Sequence, residues 1–425
     1  MRTGLLGSIA VLAISATQAI AQPPAPYPPS GPAYPPGLAA LPPGPDMVGS
    51  PDGPPGLFNQ PADDKGVPRS WFSMGTNVMF IRPMTTPYPL VTSGTVLSGG
   101  VFPNIGSTVL FGAGSFNYGP EIGGSWDFGF WFKNAPNWGW DWSGFVLGNK
   151  MEHYHTSVAD QVIARPFIDA DTGLPSSFLV AFPGFDTGFL TASVGSRLWG
   201  TEWNLLRRWI YRENLSLNFL IGLRYWDLHE NLAISSTSDF LVASVFYGAP
   251  IPAGSTDTVA DLFDTRNQYM TGQLGITGDW HYKRWTVSFF SKVALGAVYQ
   301  TSVISGASSF APTAAAAPNT VQGGLLALDT NIGRHHSAQF VVVPDEKFQV
   351  NYQFFKNIDL GLAYNFTYFS RVLRPADQIN PLLSTTHIPT SAAFAAPGGA
   401  YSPTEAAIQS DFWAQGVTFT FTAHW

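Results

Sequence analysis

The chain has 425 residues, of which only 12% are Asp, Glu, Lys or Arg and 14% are aromatic. Soluble globular proteins carry about 25% charged residues, so this chain has too little charge to cover an aqueous surface of its size. A barrel wall that faces lipid explains the shortage, and a very large buried core is the alternative. The net charge of −7 gives no indication of a nucleic-acid-binding surface, and the absence of Cys excludes disulfides, thiolate nucleophiles and cysteine-ligated metals.

The first 21 residues have the pattern of a secretory signal peptide. Arg2 supplies the positive region, Leu5 to Ile14 the apolar stretch, and Ala19-Ile20-Ala21 a small-x-small cleavage site before Gln22. No later segment offers the ~18 uninterrupted apolar residues that a transmembrane helix needs. A membrane location after secretion through the inner membrane therefore requires closed β-structure, the remaining way to satisfy a backbone in lipid.

Residues 22–68 are dominated by Pro, Gly and Ala, beginning with Pro-Pro-Ala-Pro-Tyr-Pro-Pro at Pro23. This composition cannot form a packed core and favours extended polyproline II, so it predicts a disordered periplasmic tether. A proline-motif ligand is the alternative interpretation.

From Trp71 onward the sequence alternates between apolar and polar residues, which predicts strands with one lipid-facing side over residues 69–425. The runs are roughly ten residues long, the length a tilted strand needs to cross a bilayer. The clearest of them start at Trp138, Leu215, Phe348, Leu360 and Val417.

The connections between these runs alternate strictly between short and long, as in outer-membrane barrels. Short links lie at 133–137, 207–214, 283–284 and 356–357, and long ones at 83–115, 152–187, 231–265, 304–337 and 374–411. The fold class predicted is an all-β, antiparallel up-and-down transmembrane barrel of ten strands. Twelve is the alternative, if Phe240 to Tyr247 pairs as an extra hairpin. The short links and both ends of the barrel are expected in the periplasm.

The last strand carries Val417, Phe419 and Phe421 on its apolar side and ends on the aromatic Trp425. This pattern is typical of the C-terminal signal that the bacterial outer-membrane assembly machinery reads. The expected partners are therefore outer-membrane lipid and that machinery, with no nucleic acid. The sequence leaves the choice between monomer and trimer open.

Several blocks, in order and at consistent spacing between Trp71 and Trp425, resemble the beta-barrel porin-7 family of planctomycete-type outer-membrane proteins. They are Gly200-Thr-Glu202-Trp-Asn204-Leu-Leu-Arg, Leu220-Ile-Gly222-Leu-Arg224-Tyr225-Trp-Asp227-Leu-His-Glu230, Thr265-Arg266-Asn267-Gln268-Tyr269, Gly272-Gln-Leu-Gly275, Lys292-Val-Ala-Leu-Gly296, Phe340-Val-Val-Val-Pro344 and Val372-Leu-Arg374-Pro375-Ala-Asp377-Gln378-Ile379-Asn380. The resemblance implies an outer-membrane barrel and supplies no substrate.

Taking the apolar side of each strand as lipid-facing predicts a set of charged residues in the lumen, because Arg or Lys facing the bilayer midplane would cost ~2–4 kcal/mol. The set is Asp127, Asp141, Arg197, Arg224, Asp279, Lys292, Lys347 and Arg371. Two interpretations remain open: side chains that fill a narrow lumen with salt bridges, or a narrow wet passage lined by charges.

Nothing in the sequence indicates a cofactor, a metal site or a catalytic centre. His153 and His155 beside Glu152, and the pair His335-His336, lack a third ligand at a recognised spacing. There is no Gly-x-Ser-x-Gly elbow and no His-Glu-x-x-His helix. The function predicted is a porin-like passage for small solutes or ions. The alternatives are a closed structural or adhesion protein of the envelope and a surface hydrolase using an acid–histidine pair such as Asp227 and His229.

Overall fold

The computed structural model describes residues 69–157, 161–313 and 316–425, so the predicted signal peptide and tether lie outside the described residues. Ten antiparallel strands of this part of the chain form one closed sheet. They are β1 (Ser70–Ile81), β2 (Glu121–Phe132), β3 (Ala135–Leu147), β4 (Asp186–Arg212), β5 (Leu215–Phe240), β6 (Thr256–Tyr282), β7 (Trp285–Ala311), β8 (Gly333–Phe355), β9 (Ile358–Leu373) and β10 (Gln409–His424). Each strand pairs with its neighbours in the chain, and β1 pairs with β10 to close the ring. The predicted ten-stranded up-and-down barrel is confirmed.

The two ends of the barrel differ in their connections. At the turn end, two-residue turns join the strands at 133–134, 213–214, 283–284 and 356–357. At the loop end, the connections span 82–120, 148–185, 241–255, 312–332 and 374–408. The segment that could have added a hairpin, Phe240 to Tyr247, ends β5 at Phe240 and then contributes Ser244–Phe246, which pairs with Ala249–Ile251 and not with the barrel.

The third and fourth loops are shorter than the sequence predicts, because the strands beside them are longer. Strands β4 to β8 have 27, 26, 27, 27 and 23 residues, whereas the other five have 12 to 16. A tilted strand needs only about 9–11 residues to cross the hydrocarbon. The long strands therefore form an extended wall that continues beyond the bilayer at the loop end.

The extended wall reverses its apolar side where it leaves the membrane. In β5, Phe219, Ile221 and Leu223 are exposed on the outer face, whereas Leu228 and Leu232 are buried on the inner face. Lipid outside the barrel favours apolar residues on the outer face, and water outside it favours them on the inner face. The apolar residues of β5 change from the outer to the inner face between Leu223 and Leu228. This change therefore marks the loop-side boundary of the bilayer.

Strands of the loops form a second sheet, here called the cap. Its members are Pro89–Gly94, Ser107–Gly112, Val162–Asp169, Pro175–Ala181 and Leu382–Leu383. Cap residues such as Ile163 and Phe167 share one buried apolar cluster with Leu232, Val259 and Phe263 of the wall. The loop end of the barrel is thus filled by folded loops.

The remaining elements are short and lie in the loops. They are Met84–Thr85, Ser115–Phe116, Lys150–Ser157, Asn319–Gln322 and the 3-10 helix Pro375–Gln378. Across the described residues, no helix is long and apolar enough to cross a membrane.

Candidate functional site in the barrel interior

The structure places six of the eight charged residues predicted for the lumen inside the barrel. These are Asp127, Asp141, Arg224, Asp279, Lys292 and Lys347. Arg197 and Arg371 are exposed on the outside, so the inward prediction is wrong for both.

Arg197 and Arg371 point outward for different reasons. In β4, the neighbours Ser196 and Leu198 are both buried, and Arg197 lies in the part of the strand where the outer face is already polar. In β9, a β-bulge interrupts the pairing with β10 between Phe369 and Val372, and Arg371 has a φ of 57°. A bulge inserts an extra residue and shifts the alternation of inward- and outward-pointing side chains, so Arg371 points outward.

Four charged side chains inside the barrel form one closed ion-pair network. Arg224 Nη2 lies 3.0 Å from Glu202 Oε2 and 2.6 Å from Asp345 Oδ2. Lys292 Nζ lies 2.6 Å from Glu202 Oε1 and 3.2 Å from Asp345 Oδ2. The network joins β4, β5, β7 and β8 and carries two positive and two negative charges, so it crosses the lumen without a net charge.

Neighbouring amides and hydroxyls satisfy the carboxylates of this network. Gln273 Nε2 donates to Glu202 Oε2 at 2.7 Å, and Thr367 Oγ1 donates to Asp345 Oδ1 at 2.8 Å. Buried ion pairs are stable only when such additional hydrogen bonds are present. The two carboxylates of the network meet this condition.

A cavity of about 180 Å³ adjoins the network. Its charged lining includes Asp127, Asp141 and Lys347 in addition to Glu202 and Lys292. The Trp71 indole N–H donates to Asp127, and Asn204 Nδ2 donates to Asp141 Oδ1 at 2.7 Å. A cavity of this size is large enough for several water molecules.

The sequence prediction missed Glu202 and Asp345, the two acceptors of the network. Asp345 lies two residues before Lys347 and so shares its face of β8, a spacing that would have identified it. Glu202 lies between Thr201 and Trp203 on β4, a strand in which apolar and polar residues do not alternate regularly. Its position in the Gly200-Thr-Glu202-Trp block was a signal of family resemblance only.

A buried arginine from the fifth loop joins that loop to the first loop and to β5. Arg374 Nη2 donates to Glu230 Oε1 at 2.6 Å, and Arg374 Nε donates to Glu230 Oε2 at 2.9 Å. The same guanidinium donates to the carbonyl oxygens of Pro83 at 2.8 Å and Arg82 at 3.1 Å in the first loop. The Tyr118 hydroxyl donates to Glu230 at 3.4 Å, and burial raises the pKa of this phenol so that it stays neutral.

A second buried ion pair fixes the cap to the extended wall. Arg165 of the cap pairs with Asp261 of β6, and both side chains are inaccessible to solvent. The other carboxylate oxygen, Asp261 Oδ1, accepts the backbone N–H groups of Leu325, Leu326 and Ala327 at 2.8 to 3.0 Å. One aspartate thus holds the cap and the fourth loop together.

The family model described as "Putative beta barrel porin-7" (BBP7) matches residues 70–425, the whole length of the described barrel. The chain belongs to this porin-7 family. Its outer-membrane barrel architecture agrees with the lipid-facing wall and the ten-stranded closure. No curated protein matches the chain.

Solved outer-membrane proteins resemble the porin-7 chain only distantly. The outer membrane protease OmpT from Escherichia coli is 9% identical, with 84% of this chain and 97% of OmpT covered and a TM-score of 0.37. The P. putida toluene transporter TodX is 9% identical, with 87% of this chain and 93% of TodX covered and a TM-score of 0.20. A Pseudomonas aeruginosa FadL homologue is 7% identical, with 83% and 89% covered and a TM-score of 0.19. Similarities this low carry no argument about activity.

The acid–histidine pair considered for a hydrolase is not assembled in the porin-7 barrel. Asp227 is bound by Arg266, whose Nη2 lies 2.5 Å from Asp227 Oδ2, while His229 Nε2 lies 2.7 Å from Asp264 Oδ2. Both pairs lie on the outer face of the extended wall.

The histidine clusters also have other partners. His335 Nδ1 lies 3.0 Å from Glu405 Oε2, and His336 Nδ1 lies 3.1 Å from the Thr301 hydroxyl. His153 and His155 lie on the edge strand Lys150–Ser157. Over residues 69–157, 161–313 and 316–425, no group of three His, Cys, Asp or Glu side chains is arranged to hold a metal ion.

The residues of the expected assembly signal lie together on the outer face of β10. Phe419 and Phe421 are exposed, and Trp425 ends the chain at the turn end. Val417 shares their face, whereas Thr418, Thr420 and Thr422 are buried.

Proposed function

We propose that this porin-7 protein is a narrow passage for small ions or solutes across the outer membrane, closed at its loop end in the described state. The observations that carry the proposal are the cavity with charged lining residues inside a lipid-facing wall and the buried Arg374–Glu230 pair towards the loop end. If the interior side chains served only to fill the lumen, apolar side chains could do so at a lower desolvation cost than charged ones.

Opening this passage requires the fifth loop and the Phe369 side chain of β9 to move. Arg374 must leave Glu230 and the first-loop carbonyls, and the aromatic ring of Phe369 must separate from Trp226 and Tyr269. Phe369 now lies with its ring centroid 5.1 Å from each of those two rings. This apolar layer and the ion pair together act as the gate in our proposal.

The second candidate is a permanently closed structural protein of the envelope. The buried Arg165–Asp261 pair and the continuous apolar cluster between cap and wall favour this candidate, because both stabilise the closed state.

Single-channel conductance in planar bilayers separates the two candidates. We expect the wild-type barrel to show rare, small steps and the double variant Arg374→Ala/Glu230→Gln to show frequent ones, because removing both partners of the ion pair weakens the gate without leaving a lone buried charge. Arg371→Ala, an exposed arginine three residues away, is the matched control and should behave like the wild type.

The passage proposal fails if the double variant inserts as a folded, heat-modifiable barrel and yet conducts no more than bare lipid. The closed structural protein would then be the remaining function. Steps of equal frequency in wild type, control and double variant would show an open passage and contradict the gate.

For residues outside the described structure, we propose export through the inner membrane with removal of residues 1–21, and a periplasmic tether over 22–68. Outer-membrane lipid and the barrel assembly machinery are the proposed partners. The alternating C-terminal strand and its terminal aromatic support the second of these.

A further inference from the structure

The turn end of the barrel carries a strong excess of positive charge, although the whole chain has a net charge of −7. The exposed or half-buried basic side chains in or near the four turns include Lys133, Arg207, Arg212, Lys283, Arg284 and Lys356, whereas Arg208 is buried. Among the described residues there, Glu213 is an exposed carboxylate, whereas Asp279 is held inside by two serines and Asp359 pairs with His424 at 2.9 Å. We call the six basic residues the turn-end ring.

The loop end has no such bias. Its exposed charges are of both signs, with Arg197, Arg266, Arg334 and Arg371 accompanied by Glu152, Asp171, Asp239, Asp329, Glu405 and Asp411. The positive charge is therefore a property of one end of the barrel and not of its rim in general.

The turn-end ring lies directly against the aromatic belt of the barrel. The Arg207 guanidinium carbon is 4.9 Å from the Trp138 ring centroid, and Lys283 Nζ is 5.4 Å from the Tyr282 centroid. Trp138, Tyr282 and Trp285 are all exposed on the outer face. Aromatic side chains of this kind sit at the headgroup level of the bilayer, so the neighbouring cations reach the lipid phosphates.

The ring is spread over every turn of the barrel, at 133–134, 213–214, 283–284 and 356–357. A docked protein would need the charge on one side, whereas a lipid leaflet surrounds the whole circumference. We propose that the turn-end ring binds the phosphate headgroups of anionic phospholipids in the adjoining leaflet. Each Arg can hold a phosphate through two parallel N–H groups, and each Lys adds a point charge.

Lipid selectivity of the full chain tests this proposal. The barrel is refolded into vesicles that contain phosphatidylcholine and phosphatidylglycerol, and the association of spin-labelled versions of both lipids with the barrel wall is compared. We expect the phosphatidylglycerol label to associate about 2- to 3-fold more strongly at low salt, because each cation near the surface attracts anionic lipid. High salt should reduce this preference, since it screens exposed charges.

The triple variant Lys283→Gln/Arg284→Gln/Lys356→Gln should lose about half of the preference, because three of the six cations remain. The matched control, Arg197→Gln/Arg334→Gln/Arg371→Gln, removes three exposed cations from the loop side and should keep it. A heat-modifiable band on gels verifies that both variants are folded.

Three results would overturn the proposal. They are equal association of both lipids with the wild type, an unchanged preference in the triple variant, and equal losses in the triple variant and the control. Inorganic phosphate at matched ionic strength should reduce selectivity no more than chloride does. A larger loss would show a site for free phosphate and would also contradict binding of the leaflet.

Discussion

Arg224 ties three strands of the buried network together, because its guanidinium on β5 meets carboxylates from β4 and β8. Its side chain is 1% exposed, and its partners Glu202 and Asp345 are each 12% exposed. Loss of Arg224 would leave two carboxylates facing Lys292 alone in a water-poor interior. Removing one partner of a buried ion pair costs about 3–5 kcal/mol.

We therefore predict that Arg224→Ala lowers the free energy of unfolding by about 3–5 kcal/mol. Equilibrium urea unfolding in detergent or lipid, followed by tryptophan fluorescence, measures the loss. Arg197→Ala removes an arginine from the outer face of the neighbouring strand and should change stability by less than about 0.5 kcal/mol. Equal losses of unfolding free energy in both variants would contradict the claim that Arg224 stabilises the barrel through its buried ion pairs.

The same two arginines show how far individual residues could be predicted. The sequence places Arg224 in the lumen correctly, because it lies on the polar side of β5 between Leu223 and Tyr225. Arg197 was assigned there wrongly because the prediction carried one apolar phase along the whole of β4. The positions of Glu202 and Glu230 depend on partners far away in the sequence, and no local pattern could supply them.

At the scale of elements, the sequence predicts the strands within the bilayer better than those beyond it. The apolar side of β5 changes from odd to even numbers after Leu223, and this change was readable in the sequence. The segment beyond it was nevertheless predicted as a loop, because its outer face consists of small residues such as Ala233 and Ser235. These small residues do not produce the alternation of large apolar and polar residues that is typical of a lipid-facing strand.

The bulge in β9 yields a prediction about Arg371, which has a positive φ of 57° outside a turn. Residues with a Cβ adopt this conformation at a cost of about 1–2 kcal/mol, and glycine does not. We predict that Arg371→Gly leaves stability unchanged or raises it by up to about 1 kcal/mol.

Arg197→Gly is the control for this prediction, since it places glycine inside a regular strand and should lower stability by about 0.5–1 kcal/mol. Denaturant unfolding of both variants under the same conditions gives the comparison. A loss at Arg371 as large as that at Arg197 would show that the bulge does not determine the backbone there.

At the scale of the whole molecule, the closure of ten strands follows from alternation and from the order of short and long connections. The cap does not, because its strands come from three loops and pair across long separations. Arg374 and Glu230 are 144 residues apart in the chain, and Arg374 and Pro83 are 291 residues apart. The closed loop end could therefore be found only in the structure.

The central claim is that alternate side chains of the barrel strands face lipid. The chain contains no cysteine, so single cysteines can carry spin labels without background. Labels at Leu362 and Tyr364 in β9 should be accessible to oxygen dissolved in lipid, whereas labels at Ala363 and Asn365 should be protected from it. Accessibility measured by electron paramagnetic resonance in vesicles should therefore alternate with a period of two, and equal accessibility at all four positions would contradict the lipid-facing barrel.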